Sequence, residues 1–188
     1  MNRRIIPLGL AMGLIAVAGC NKDQGSKTAN EGTEAVKKAG DKTIAAGIDQ
    51  NSQFFTLAKA AGLDVTLNGP GPYTVFVPDD AAFGKLPAGT VDNLKKPEGK
   101  ADLTRTLTYH ILPGTVLAED IGKAIDNGKG KAQLATMGGE VLTATKDGDK
   151  IVLTDAAGGK ATITRADETM SNGVVHHVDT VLMPGKSS

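Results

Sequence analysis

The spacing of hydrophobic residues changes character near residue 130. From Thr43 to Leu63, the residues Ile44, Ile48, Phe55, Leu57, Ala58, Ala61 and Leu63 recur at helical intervals. Asn51 or Ser52 can cap a restart inside that run, and Gly62 followed by Asn68-Gly-Pro-Gly-Pro72 breaks it. Tyr73, Val75 and Val77 then alternate with Thr74 and Phe76, so both faces of a short strand are largely apolar, as suits burial on both sides. Pro78 stops the strand, Asp79 is placed to cap a following helix, and Phe83 returns to the core. Leu86-Pro87 and Val91 with Leu94 mark short helices. Over residues 100–112, Leu103, Leu107 and Ile111 recur every four residues, with His110 bordering the stripe and Pro113-Gly114 ending it. Residues 118–125 predict one more short helix, with Glu119 and Asp120 near its N-terminus.

Beyond that point the pattern is β. Residues 134–137, 140–145, 150–154, 161–165 and 174–183 predict strands, separated by Gly138-Gly139, Asp147-Gly148 and Gly158-Gly159. Asn172-Gly173 is a turn pair that launches the last strand, and Pro184 closes it. Helices in the first half and antiparallel strands in the second give an α+β class. The strand at 73–77 must join the later meander from a distance. The last strand is therefore expected to close the fold and to be sensitive to truncation.

Composition narrows the picture. The chain has 188 residues, 40% hydrophobic and 22% charged, which suits one globular domain with accessory segments. With 3% aromatics and no Trp, the core must be built from Val, Leu, Ile, Ala and four Phe. The formal charge is zero and no basic block is present, which argues against a nucleic-acid partner.

The N-terminus carries an address. Arg3 and Arg4 precede an apolar stretch from Ile5 to Ala18, too short to span a bilayer and of signal-peptide length. It ends in Val17-Ala-Gly-Cys20, which resembles a bacterial lipobox. Residues 1–19 are then a lipoprotein signal peptide and Cys20, the chain's single Cys, is the lipidated first residue. The other reading is a plain secretory signal with an incidental cysteine. Under the first, Cys20 is neither catalytic nor half of an intramolecular disulfide. The mature chain then keeps 19 bases against 21 acids. Asn21 replaces the Asp of the usual inner-membrane retention signal, so the resemblance leans towards the outer membrane of a bacterial cell envelope. Residues 20–42 hold one large apolar residue, Val36, and predict a solvated tether reaching on the order of 25 Å.

Three ordered blocks carry a family resemblance: Thr74-Val-Phe-Val-Pro-Asp-Asp-Ala-Ala-Phe83, Leu107-Thr-Tyr-His-Ile-Leu-Pro-Gly114 and Asn172-Gly-Val-Val-His-His-Val-Asp-Thr-Val-Leu-Met-Pro184. Together they resemble a fasciclin-type (FAS1) domain over residues 43–186. The resemblance implies a wedge-shaped antiparallel β-sandwich with several helices packed along one side. It assigns framework roles to Thr74, Val75, Phe76, Pro78, Asp79, Phe83, Asn172, Gly173, His176 and Asp179. Family members are secreted or surface-attached and mediate adhesion, with the Tyr-His segment often implicated in receptor contact. That makes Tyr109, His110, Leu112 and Pro113 candidate partner-binding residues. For His110 the competing role is to hydrogen-bond a loop across the edge of the core.

One position departs from the family pattern: His177 stands where a hydrophobic residue is usual. Alternation puts His176 on a face with Val174, Val178 and Leu182, and His177 on the other with Val175, Asp179 and Val181. The doublet therefore cannot chelate one metal through both rings. Either both rings are satisfied by backbone or Asp179, or His177 makes a pH-sensitive surface.

No G-x-S-x-G, Walker loop, H-E-x-x-H or C-x-x-C occurs. Asp147-Gly-Asp149 lacks the further ligands of a calcium loop and suits a hairpin turn. No enzyme, cofactor or metal is expected. The leading expectation is a lipid-anchored interaction module whose partners are the membrane, through its lipid, and a protein or surface polymer. The second is a periplasmic carrier with a small-ligand pocket between helices and sandwich. A histidine-based metal or hydrolytic site would need His110 and a strand histidine to converge.

Overall fold

The computed structural model describes residues 40–185. The expected signal peptide, Cys20 and most of the expected tether lie outside the described residues. The helical half begins with α1 (Ile44–Gly47), α2 (Gln53–Ala61) and α3 (Asp64–Asn68). The run predicted over 43–63 is thus two helices, because Ser52 restarts it: its hydroxyl accepts from Phe55 N at 3.2 Å, and Gly62 ends α2 in the left-handed region at φ 78°. The third helix falls where the Gly and Pro signals suggested only a break, and Leu67 buries it.

After β1 (Tyr73–Pro78) come α4 (Asp80–Phe83), α5 (Thr90–Lys95), α6 (Lys100–Tyr109), β2 (Ile111–Pro113) and α7 (Ala118–Asn127). Two expectations fail here. The helix predicted to Leu112 stops at Tyr109, and Ile111 instead pairs with Val75 across an antiparallel ladder. The four-residue spacing of Leu103, Leu107 and Ile111 could not reveal this, since a strand buries Ile111 equally well. Asp79 does occupy the position before α4, but its side chain makes no capping bond. Its carboxylate lies 3.4 Å from His177 Nδ1, while the neighbouring Asp80 accepts from Gln53 N at 2.8 Å and caps α2.

The remaining strands are β3 (Ala132–Ala135), β4 (Val141–Asp147), β5 (Lys150–Thr154), β6 (Lys160–Met170) and β7 (Gly173–Val178). With β1 and β2 they form a seven-stranded sheet in the order β2-β1-β7-β6-β5-β4-β3. The ends approach one another: Met137 N donates to Ile111 O at 2.7 Å and Gly138 N to Thr108 O at 3.2 Å, so the sheet curls towards a barrel. It is mixed rather than wholly antiparallel, because β1 pairs with β7 in parallel, Val75 opposite Val175 and Phe76 opposite His176. The long chain between those strands allows that crossover, which a hairpin could not make. The last strand also ends early. Residues 179–185 continue as an irregular strap, with Val181 and Leu182 buried.

Because β1 is central, its two apolar faces serve two cores. Val75 and Val77 join Ile44, Phe54, Leu57, Leu103, Leu107 and Val175 beneath the helices. Phe76 faces Tyr109, Leu112, Leu142, Leu153 and Ala161, closed by Ile121 and Ile125 of α7. The architecture is α+β with a curled sheet and helices packed against it.

Candidate functional site

The motif residues converge on loops rather than on a reactive centre. On β1, the buried Thr74 hydroxyl donates to Gly114 O at 2.8 Å and accepts from Val116 N at 2.9 Å. On β7, His176 Nε2 donates to Val116 O at 2.9 Å, and its Nδ1 accepts from Asp167 N at 3.1 Å. Those partners fix a neutral ring protonated at Nε2. The ring stacks on Phe76 at 5.5 Å, and its burial pushes the imidazole pKa down, against the opposing pull of the Val116 carbonyl and Asp167. Asp167 sits in an irregular stretch of β6 with φ 61°, unusual for a residue with a side chain, and its carboxylate accepts from Ala118 N at 2.8 Å at the start of α7. Thr74, His176 and Asp167 thus pin the segment 114–118.

Asn172 does the same for a second segment. Its amide oxygen accepts from Ile44 N at 2.8 Å, and its amide nitrogen donates to Leu67 O at 2.9 Å and Gly69 O at 2.8 Å. Gly173 follows with φ 155°, and a Cβ there would meet Tyr73 O at 1.9 Å. Only glycine lets β7 start this close to β1.

Between the two pinned segments lies a cleft of about 540 Å³, floored by the β6–β7 turn from Thr169 to Val174. One wall is Pro70-Gly71-Pro72 and the other holds Thr115 and Leu117. Among the described residues, none that lines it is ionisable. The polar-to-apolar pattern had marked Pro70 and Pro72 only as breaks, and nothing in the spacing singled out Asp167 or Thr115. The one available signal was the loss of strand alternation through Arg165-Ala166-Asp167-Glu168.

Tyr109 and His110 are wholly buried and Leu112 is 2% exposed, so of the four candidate partner-binding residues only Pro113 reaches the surface. Direct contact through the first three is ruled out in this conformation by their enclosure. His110 Nδ1 donates to Thr106 O at 2.8 Å, and Nε2 accepts from Leu182 N at 3.1 Å. The ring is neutral, with its pKa lowered to about 4 by burial despite the Thr106 carbonyl and Asp155. The Tyr109 hydroxyl accepts from Ala156 N at 2.9 Å and donates to Val141 O at 3.3 Å. Burial raises its pKa to about 12, offset in part by the Ala156 N–H. Tyr109→Phe, which leaves Ala156 N without that acceptor, should cost about 1–2 kcal/mol in urea unfolding with no change in fold.

His177 lies on the opposite face from His176, as alternation requires. Its Nε2 meets Arg165 Nη2 at 2.6 Å and Glu168 Oε2 at 3.1 Å, and its Nδ1 faces Asp79. Asp179 does not touch either histidine in the hydrogen-bond pattern. It accepts from Thr162 N at 2.8 Å and Thr180 Oγ1 at 3.0 Å; burial would raise its pKa, but those bonds and Lys85 outweigh it and hold it below the usual value. Among the described residues no cluster of three or more His, Cys, Asp or Glu could hold a metal ion. His110 and His176 spend both ring nitrogens on different partners, so no shared histidine site exists.

Comparison with known proteins agrees with this geometry. The Fasciclin domain model matches residues 49–184. Protein sll1483 of Synechocystis is 37% identical over 178 residues, spanning 94% of this chain and 91% of that protein. The cell surface glycolipoprotein MPB83 of Mycobacterium bovis is 36% identical over 152 residues, 75% of this chain and 60% of that protein. The solved FAS1 domain pair from the insect cell adhesion molecule Fasciclin I superposes with a TM-score of 0.52 at 22% identity, covering 69% of this chain and 44% of that one. The chain belongs to the fasciclin-domain family.

Proposed function

We propose that the protein is a non-catalytic interaction module of a bacterial cell envelope, anchored through lipidated Cys20 and binding another protein or a surface polymer. The observation that carries this reading is how the motif residues use their polar atoms. Thr74, Tyr109, His110, Asn172 and His176 spend theirs on backbone groups, so none of these five is left as a free nucleophile or base. The family supports it, and so does a glycolipoprotein among the relatives. Pro113, at the edge of β2 beside the pinned segment, is where the partner docks.

The test is affinity capture from envelope extract with the lipid-free chain and with Pro113→Glu. A specific partner should be recovered by the parent and lost with the variant at an unchanged thermal midpoint. Equal recovery by both would sink the Pro113 surface. Anchoring is tested separately: metabolic labelling with an acyl chain should mark the parent and not Cys20→Ser.

A second reading, a small-ligand carrier, is favoured by the uncharged cleft. The cleft sits between the two pinned segments at the strand ends rather than between helices and sheet. His177, with Asp79, Arg165 and Glu168 around it, stays a proposed pH-sensitive surface position.

A further inference from the structure

We propose that the cleft binds the alkyl chain of a single-chain amphiphile with an anionic head, a long-chain carboxylate being the simplest. This rests on the carrier reading and is independent of adhesion. The volume of about 540 Å³ falls within the range of small-molecule sites. Pro70, Pro72, Leu117, Met170 and Val174 supply carbon surface on the walls and floor. With no ionisable lining residue among those described, a charged group placed inside would lose hydration without compensation. The charge must stay at the rim.

The rim offers a partner for it. Lys42 is exposed, makes no ion pair with a described residue, and its carbonyl accepts from Ser171 N at 2.8 Å, which fixes its backbone beside the floor turn. Its four-carbon stem can bring an ammonium over the opening. The hydroxyls of Thr115 and Ser171 stand on exposed residues of the same opening and are available to the head. The amide of Asn172, by contrast, is fully used on Ile44, Leu67 and Gly69. It shapes the cleft and contributes nothing to a ligand. Both walls are pinned before any ligand arrives, so binding spends little free energy on ordering them.

The experiment uses the chain from residue 20 with Cys20→Ser, which keeps every described residue, and titrates it by calorimetry with carboxylates of eight, ten and twelve carbons below their micellar concentrations. Saturable one-to-one binding is expected, tightening about two- to fourfold per methylene. Ser171→Trp should fill the opening and weaken dodecanoate about tenfold or more. Lys42→Gln should weaken dodecanoate several-fold and leave dodecanol unchanged. Methyl resonances of Met170 and Val174 should shift on binding. Absence of saturable binding, an unaffected Ser171→Trp at an unchanged thermal midpoint, or equal affinity for dodecanol and dodecanoate would each overturn the proposal. Loss of amphiphile binding in Ser171→Trp with partner capture intact leaves the adhesion reading standing, so the two can fail separately.

Discussion

Asn172→Ala should lower the stability of the domain by about 3–4 kcal/mol, read as a fall in the urea midpoint with an unchanged slope. The magnitude follows from what the side chain leaves behind. Ile44 N, at a fully buried residue, loses its acceptor, and the carbonyls of Leu67 and Gly69 lose their shared donor. A buried donor without a partner costs about 1–3 kcal/mol, and water can reach the two carbonyls only in part. Against a typical total of about 5–15 kcal/mol, that is a large share. Asn172→Asp should do no better, because a carboxylate can still accept from Ile44 N but turns a charge towards both carbonyls. Ser171→Ala, one residue away and exposed, should stay within about 0.5 kcal/mol of the parent. A small effect of Asn172→Ala would mean that the first helix and the loop before β1 are held by burial alone.

The same residue shows what was visible in the chain. Asn172-Gly173 was legible as a turn, and Gly173 does begin β7. That the amide reaches across to α1 and to the end of α3 was not, since its partners lie 128 and 105 residues away in sequence. The double-sided burial of β1 was legible because five consecutive residues alternate between two apolar faces. Its parallel pairing with β7 was not, because a strand buried on both faces pairs equally well in either direction. Local period also misled at Ile111, where helix and strand would bury the same side chain. Of the site, Thr74, His176 and Asn172 stood out through motif resemblance, whereas the cleft they shape depends on loop positions whose spacing has no period to detect. The histidine doublet was the clearest success of alternation: one ring reaches the 114–118 segment, and the other faces Asp79, Arg165 and Glu168.

Acidification below pH 6.5 should destabilise the domain, and His110 is the principal cause. In the unfolded chain an imidazole takes up a proton near pH 6.5; in the folded chain burial lowers that value to about 4. Above pH 6.5 neither state holds the proton and the residue has no effect on the pH dependence. As pH falls from 6.5 towards 4, only the unfolded state gains the proton, so stability is lost across that window and levels off below it. The full loss is about 3 kcal/mol for this one group. His176, shifted in the same direction by burial, begins to contribute at the same upper edge. Asp179 is separable: its pKa is held below 3.8, so its contribution is lost only at lower pH. Protonation also has a local consequence, because Nε2 can no longer accept from Leu182 N, and with it goes one of the bonds that hold the strap. Two more are Met183 N to Asp155 Oδ2 at 2.9 Å and Gly185 N to Glu140 Oε2 at 2.8 Å. Urea unfolding at intervals between pH 7 and pH 4 should therefore show a slope approaching one bound proton for His110 alone. His110→Gln, whatever its effect at pH 7, should flatten that slope by about one proton, and hydrogen exchange at the Leu182 amide should accelerate on acidification in the parent. A parent protein whose stability is level from pH 6.5 to 4 would show that His110 is solvated, and the strap would then have to be held by Val181 and Leu182 without it.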